Sequence, residues 1–227
     1  MIFILVCGLG VFFYPRIADF INSQRHSSVV EQYFRDAAAM NEEDFSEIIA
    51  AAQAYNEALL TRQQRFMFTE QDREEYMRLL NPFGNNIMGI IVIDSIDVRL
   101  PIYHGTSDDV LQVGAGHFEG SSLPVGGSTT HTTITGHRGV PSSLLFTRLD
   151  NLIPGDTFEL HILNKVLTYR VDQVLVVEPH ELEALAFESG MDFATLVTCT
   201  PYGVNSHRIM VRGYRTDDED IRNEQKR

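Results

Sequence analysis

Cys199 ends the run Thr195-Leu-Val-Thr-Cys199, which continues as Thr-Pro-Tyr-Gly203, and Arg208 follows shortly after. Ala194 to Val197 reads as a buried strand, Pro201 to Asn205 as a turn-rich connection, and Arg208 to Val211 as a second strand. Cys199 and Arg208 are therefore expected side by side on neighbouring strands. A third group lies upstream in Thr132-Thr-Ile-Thr-Gly-His137-Arg-Gly139, another short β-rich run that ends in a histidine between glycines. A thiol to attack a carbonyl, an imidazole to move the proton and a guanidinium to hold oxyanion charge together suffice for acyl transfer. Such a mechanism needs thiolate and imidazolium at once, so its rate is bell-shaped in pH.

Taken singly, each residue has a plainer reading. A lone Cys in an apolar strand is commonly an inert core residue. His137 fits a turn histidine satisfied by backbone, and Arg208 fits a surface ion pair. The surrounding words change the balance. The Thr195 to Gly203 run with Arg208, together with Leu100-Pro-Ile-Tyr-His-Gly-Thr106, Leu123-Pro-Val-Gly-Gly127 and Thr135-Gly-His137-Arg-Gly139, closely resembles the sortases, and within them the class C, pilus-polymerising group. The resemblance runs in order from Met88 to Tyr214.

That resemblance implies a mainly β chain, a closed sortase-type barrel preceded by an N-terminal helical arm, and a cysteine transpeptidase with no cofactor and no metal. It implies that Cys199 attacks the Thr carbonyl of a Leu-Pro-X-Thr-Gly (LPXTG) sorting signal while Arg208 stabilises the oxyanion. His137 then protonates the departing glycine amine. The thioacyl enzyme is resolved by an amine, a pilin lysine in the class C case or a peptidoglycan cross-bridge amine in the anchoring case. Substrate contacts are expected at Thr198, Thr200, Pro201 and Tyr202, with His131 as a further group on the strand leading to His137. The Pro201 to His207 connection is expected to wall the peptide groove. Class C sortases usually carry an Asp-Pro-Phe or Asp-Pro-Trp lid over the cysteine, and this sequence has no Asp-Pro dipeptide. The lid candidates are Phe66 and Phe68, which suit an apolar plug, and Asn81-Pro82-Phe83, the nearest match to the motif. An amide at position 81 cannot ion-pair with Arg208, so an absent or altered lid is expected. Two rivals remain. A housekeeping sortase shares the three catalytic residues, but the long arm and Thr200-Pro-Tyr-Gly203 argue against it. A non-catalytic peptide-binding barrel would tolerate loss of any of the three.

Composition agrees. With 227 residues, 44% of them hydrophobic, the chain can fill one core and carry an appendage. A net charge of −13 and a pI near 4.9 argue against nucleic acid as a partner. The cysteines are Cys7 and Cys199, and a disulfide between them would consume the nucleophile, so a free thiol is expected. His104, His117, His131 and His137 lack the tight spacing of a zinc motif. Gly114-Ala-Gly116 and Gly126-Gly127 have no following helix to form a phosphate cradle, and are read as turn glycines.

The elements that must position the site follow from the punctuation. Met1 to Tyr14 is almost wholly apolar but shorter than the roughly 20 residues of a membrane span. Residues 1–20 are read as part of a membrane anchor, which places the catalytic domain on the cell-wall side of the membrane. Residues 21–87 form the helical arm with the lid region. In it a capping box at Ser28-Val-Val-Glu31 opens a helix with the stripe Val30, Phe34, Ala37. Asn41 caps a second helix carrying Phe45, Ile48, Ile49, Ala52, Tyr55 and Leu59. Residues 88–215 are the barrel, with strands over Ile90 to Ile93, Val98 to Tyr103, Thr132 to Thr135, Phe158 to Leu163 and Val166 to Val177 besides the two at the site. Residues 216–227 form a polar tail.

Overall fold

The computed structural model describes residues 2–139 and 144–216. β1 (Ile87–Ile93) is buried along its whole length. It pairs antiparallel with β2 (Val98–His104) on one side and with β5 (Thr157–Ile162) on the other. From β2 the wall continues through β3 (Ala115–His117), β4 (Thr130–Gly136), β7 (Asp192–Thr200), β8 (His207–Arg215) and β6 (Lys165–Val177) to β5, closing the expected barrel. Closure pairs the strands that an open sheet would leave as edges. β5 alternates half-buried and buried residues, Phe158, Leu160 and Ile162 pointing inward as a strand with one apolar face requires. Ile91, Ile102, Ile134, Tyr169, Leu196 and Val211 join them in the core. The polar tail, apart from Thr216, lies outside the described residues.

The arm is α1 (Ile2–Ala38), α2 (Glu42–Leu60) and α3 (Glu70–Arg78). Asn41 caps α2 as expected, its Oδ1 accepting from the Asp44 N–H at 2.8 Å. Ser28 does not begin a helix. It lies inside α1, where its Oγ donates to the Arg25 carbonyl at 2.8 Å, the back-bond a serine makes when the helix runs through it. Among the described residues no helix is long and apolar enough to cross a membrane. Tyr33 joins the expected stripe and fastens α1 to the barrel: its hydroxyl donates to the Met88 carbonyl at 3.0 Å and accepts from the Leu163 N–H at 2.8 Å. Asn56 on α2 does the same for the loop after β3, with Nδ2 donating to Leu123 O at 3.0 Å and Oδ1 accepting from Leu123 N–H at 2.7 Å.

α4 (Asp108–Val113) bridges β2 to β3, which run parallel and so need a crossover. The reading of Gly114 and Gly116 as turn glycines is corrected for Gly116. It lies within β3, where an added Cβ would stand 2.2 Å from the Gly105 carbonyl oxygen. Only glycine lets those two backbones approach.

Candidate active site

β7 and β8 are antiparallel with Cys199 directly opposite Arg208, so both side chains leave the same face of the sheet. β4 runs parallel to β7 on the other side, Thr135 opposite Val197, and His137 follows at the end of β4. The three side chains line one cavity of about 360 Å³. Its floor continues through Thr133, Val197 and Met210. The loop between β6 and β7 contributes Leu182 and Leu185 to the lining, which Phe118 and Leu111 join. Cys199 is a free, half-buried thiol. The Arg208 Nη1 donates to the carbonyls of Asn205 at 3.2 Å and His207 at 3.0 Å, which fixes the guanidinium against its own hairpin. A nucleophile, a proton carrier and a fixed cation in one partly apolar cavity are the parts an acyl transfer needs.

The neighbours divide by what they touch. Thr198 lines the cavity, and its hydroxyl donates to the Gly136 carbonyl at 2.6 Å, tying β7 to the residue before His137. Thr200 accepts from Arg138 Nη1 at 3.3 Å, and the Arg138 guanidinium lies 5.9 Å from the exposed Tyr202 ring. Arg138 also pairs with Asp150 at 2.5 Å. Pro201 and Tyr202 open the β7–β8 connection just beyond the thiol, outside the cavity lining. Gly139, at φ 77°, passes under Tyr202, where a Cβ would come within 3.0 Å of the ring.

His131 departs from the expected role as a substrate contact. It is buried outside the cavity, with Nδ1 donating to Ala186 O at 2.9 Å and Nε2 accepting from the Thr195 hydroxyl at 2.7 Å. A carbonyl only accepts, which settles the tautomer. Burial pushes its pKa down to about 4. His117 is spent likewise, between the Ser122 carbonyl at 2.9 Å and the Tyr76 hydroxyl at 3.0 Å, and burial holds its pKa near about 4. Among the described residues no three potential metal ligands stand together.

The lid candidates do not line the cavity. Asn81 builds a turn instead. Its Nδ2 donates to Met77 O at 3.1 Å and Asn86 Oδ1 at 3.0 Å, and its Oδ1 accepts from Asn86 N–H at 2.9 Å. Pro82 continues that turn, and Phe83 packs edge-on against Tyr33 at 5.9 Å. Phe68 packs on Tyr76 at 5.9 Å. Phe66 comes nearest, its ring 5.4 Å from Phe118, itself a wall residue. Sequence reasoning passed over Arg138, although it stands in the quoted Gly-His-Arg-Gly word. Thr133 stands in the Thr132 to His137 run and shares the face of His137 by strand alternation, whereas the β6–β7 loop carries no local pattern that points to the site.

A closed barrel presenting Cys, His and Arg in one cavity defines an enzyme built for cysteine-dependent acyl transfer. The Sortase domain family model matches residues 91–216, and the chain belongs to the sortase family, whose members are cysteine transpeptidases. Its fold is similar to that of sortase C1 from Streptococcus agalactiae, with 46% identity over 84% of this chain and 99% of that one and a TM-score of 0.82. Sortase C of Clostridium perfringens, solved with the C-terminal cell wall sorting motif, is 38% identical over 84% of this chain and 99% of that one with a TM-score of 0.74. Sortase D of Bacillus subtilis is 25% identical over 183 residues, 79% of this chain and 86% of that protein.

Proposed function

We propose that this transpeptidase cleaves an LPXTG-type sorting signal between Thr and Gly and joins the Thr to a pilin lysine. The observation that carries the reading is the register pairing of Cys199 with Arg208 beside His137 in a single cavity. In the first half-reaction the Cys199 thiolate adds to the Thr carbonyl carbon, and Arg208 takes up the oxyanion charge. The C–N bond then breaks as His137 delivers its proton to the glycine amine. A thioester remains. In the second half, neutral His137 accepts a proton from the incoming lysine amine, which attacks the thioester and expels the thiolate. The similarity to class C enzymes supports the pilin acceptor over a peptidoglycan cross-bridge amine. The sorting motif in the C. perfringens structure supports the donor class. The enzyme then works at the cell membrane, tethered through its N-terminal segment, with the barrel on the cell-wall side.

The test is intact-protein mass spectrometry after incubation with an LPXTG-type peptide, with Cys199→Ala as control. A Cys199-dependent gain equal to the peptide cleaved after Thr is expected. No adduct on a thiol that still alkylates readily would refute the donor assignment. Adding a pilin with a free lysine or a cross-bridge peptide then separates the acceptors, with amide formation expected on the pilin.

A further inference from the structure

The floor of the catalytic cavity holds a polar atom that nothing in the enzyme satisfies. Thr133 is 1% exposed and lines the cavity, yet its Oγ1 has no hydrogen-bond partner. Among the described residues it is the only cavity-lining side chain with such an atom. Its backbone is fully engaged, the N–H donating to Ser121 Oγ at 3.1 Å and the carbonyl accepting from Phe118 N–H at 2.9 Å. The hydroxyl opposite it in register, Thr195, donates to His131 Nε2 instead. One register step nearer the thiol, level with Thr135, Leu185, Val197 and Met210 form a buried cluster with Phe118 and Leu182 packed on it. A buried hydroxyl without a partner is a standing cost to the fold, and native proteins keep such groups where function uses them.

The position of the hydroxyl indicates what uses it. Thr133, Thr135 and His137 leave the same face of β4 and its extension, since alternate residues share a face. His137 is four residue steps beyond Thr133, about 13 Å at ~3.3 Å per residue. Val197 lies opposite Thr135, so Cys199 stands level with His137. An extended peptide lying along β4 with its scissile carbonyl at Cys199 covers about 13 Å with four residues, which are Leu-Pro-X-Thr of the signal. The residue that reaches Thr133 is therefore the leucine of the signal, whose side chain can lean onto the apolar cluster one step nearer the thiol and whose main chain must find a partner when water leaves. We infer that Thr133 is a specificity-determining residue whose hydroxyl hydrogen-bonds a main-chain amide flanking that leucine, setting how the donor peptide seats. The inference rests on the sorting-signal reading above.

The experiment compares Thr133→Val and Thr133→Ser with wild type in the full chain, using steady-state cleavage of an LPXTG-type peptide and thermal melting. Thr133→Val is expected to raise KM about tenfold with kcat nearly unchanged, the effect of one lost hydrogen bond to a partner left buried. Thr133→Ser keeps the hydroxyl and is expected to keep the wild-type KM. Because the free enzyme loses no hydrogen bond, the melting temperature of Thr133→Val is expected to hold or rise. Wild-type kinetics in Thr133→Val overturn the inference, as does equal impairment of both variants, which would assign the effect to packing of the methyl group. A lower melting temperature with a fall in kcat overturns it as well. If wild type forms no thioacyl adduct with the peptide, the sorting-signal reading fails and this inference falls with it. An adduct with an unmoved KM defeats this inference alone.

Discussion

Arg138 stands between the two halves of the site, directly after His137 and hydrogen-bonded to the residue after Cys199. Its side chain is 8% exposed, whereas that of its partner Asp150 is 40% exposed. When Arg138→Ala removes the guanidinium, Asp150 recovers water, so the pair is worth about 1 kcal/mol rather than the larger value of a dry pair. The bond to Thr200 and the approach to Tyr202 add about 1 kcal/mol more. A loss of about 2 kcal/mol corresponds to a fall of roughly 4–8 °C in Tm for a chain of this size. The catalytic effect is expected to be larger than the thermal one suggests. The variant frees Thr200 from the segment that carries His137 and leaves the Thr198 hydroxyl bond to Gly136 as the side-chain tie there, and a misplacement of about 1 Å costs on the order of 10²-fold in rate. Differential scanning fluorimetry and kcat/KM for peptide cleavage read the two effects separately. Arg138→Lys keeps the charge but not the fork that reaches Thr200 and Asp150 together, so it should restore part of the Tm and little of kcat/KM. Wild-type kcat/KM in Arg138→Ala, at temperatures where the variant is folded, would refute the claim that Arg138 positions the site.

Asn56→Ala strips both hydrogen bonds from the Leu123 backbone in a buried setting and is expected to cost about 3 kcal/mol, read as a clear drop in the urea midpoint. An unmoved midpoint would mean that the loop after β3 is held by packing alone. Gly116→Ala should prevent β3 from closing on β2, giving little folded protein by circular dichroism, because the obstructing atom is backbone. Burial lowers the pKa of His117 and His131 to about 4, so the native state binds fewer protons than the unfolded chain. Their contribution to stability is full above about pH 6.5 and is lost as pH falls toward the folded values, about 2 kcal/mol each by pH 5. Chemical denaturation at pH 7.5 and pH 5 tests this, and equal stabilities would contradict it.

The pairing of Cys199 with Arg208 was legible because a short connection joins two apolar runs, which leaves few registers for an antiparallel hairpin. The parallel contact of β4 with β7 was not, since no local pattern states which distant strand lies alongside. α3 was invisible for a different reason: Tyr76 is its only buried residue, so it presents no apolar stripe. Its evidence lies in the capping box at Thr69 and Asp72. Asn56 occupies a buried position of α2 as a polar residue, and only the facing Leu123 backbone explains it. His131 does share a strand face with His137, as alternation requires, but the loop between β6 and β7 covers it, and coverage by a loop is not written in strand periodicity.

That loop also accounts for the arm's relation to the thiol. Arg65 donates from Nη2 to the Leu185 carbonyl at 2.7 Å, and its guanidinium lies 4.0 Å from the Phe187 ring and 4.5 Å from that of Phe66. His131 holds the next carbonyl, that of Ala186, from the barrel side. The segment with the lid candidate Phe66 thus braces the cavity wall, with Leu185 reaching from the braced loop into the cavity. For Phe66 to swing over Cys199, the Arg65 hydrogen bond and its ring contacts would have to break, at a cost of about 2–3 kcal/mol. The carboxylate and aromatic of an Asp-Pro-Phe lid would engage the guanidinium and the thiol directly. Here the cation–aromatic pairing joins Arg65 to Phe66 and Phe187 and braces the loop that carries Leu185 into the cavity.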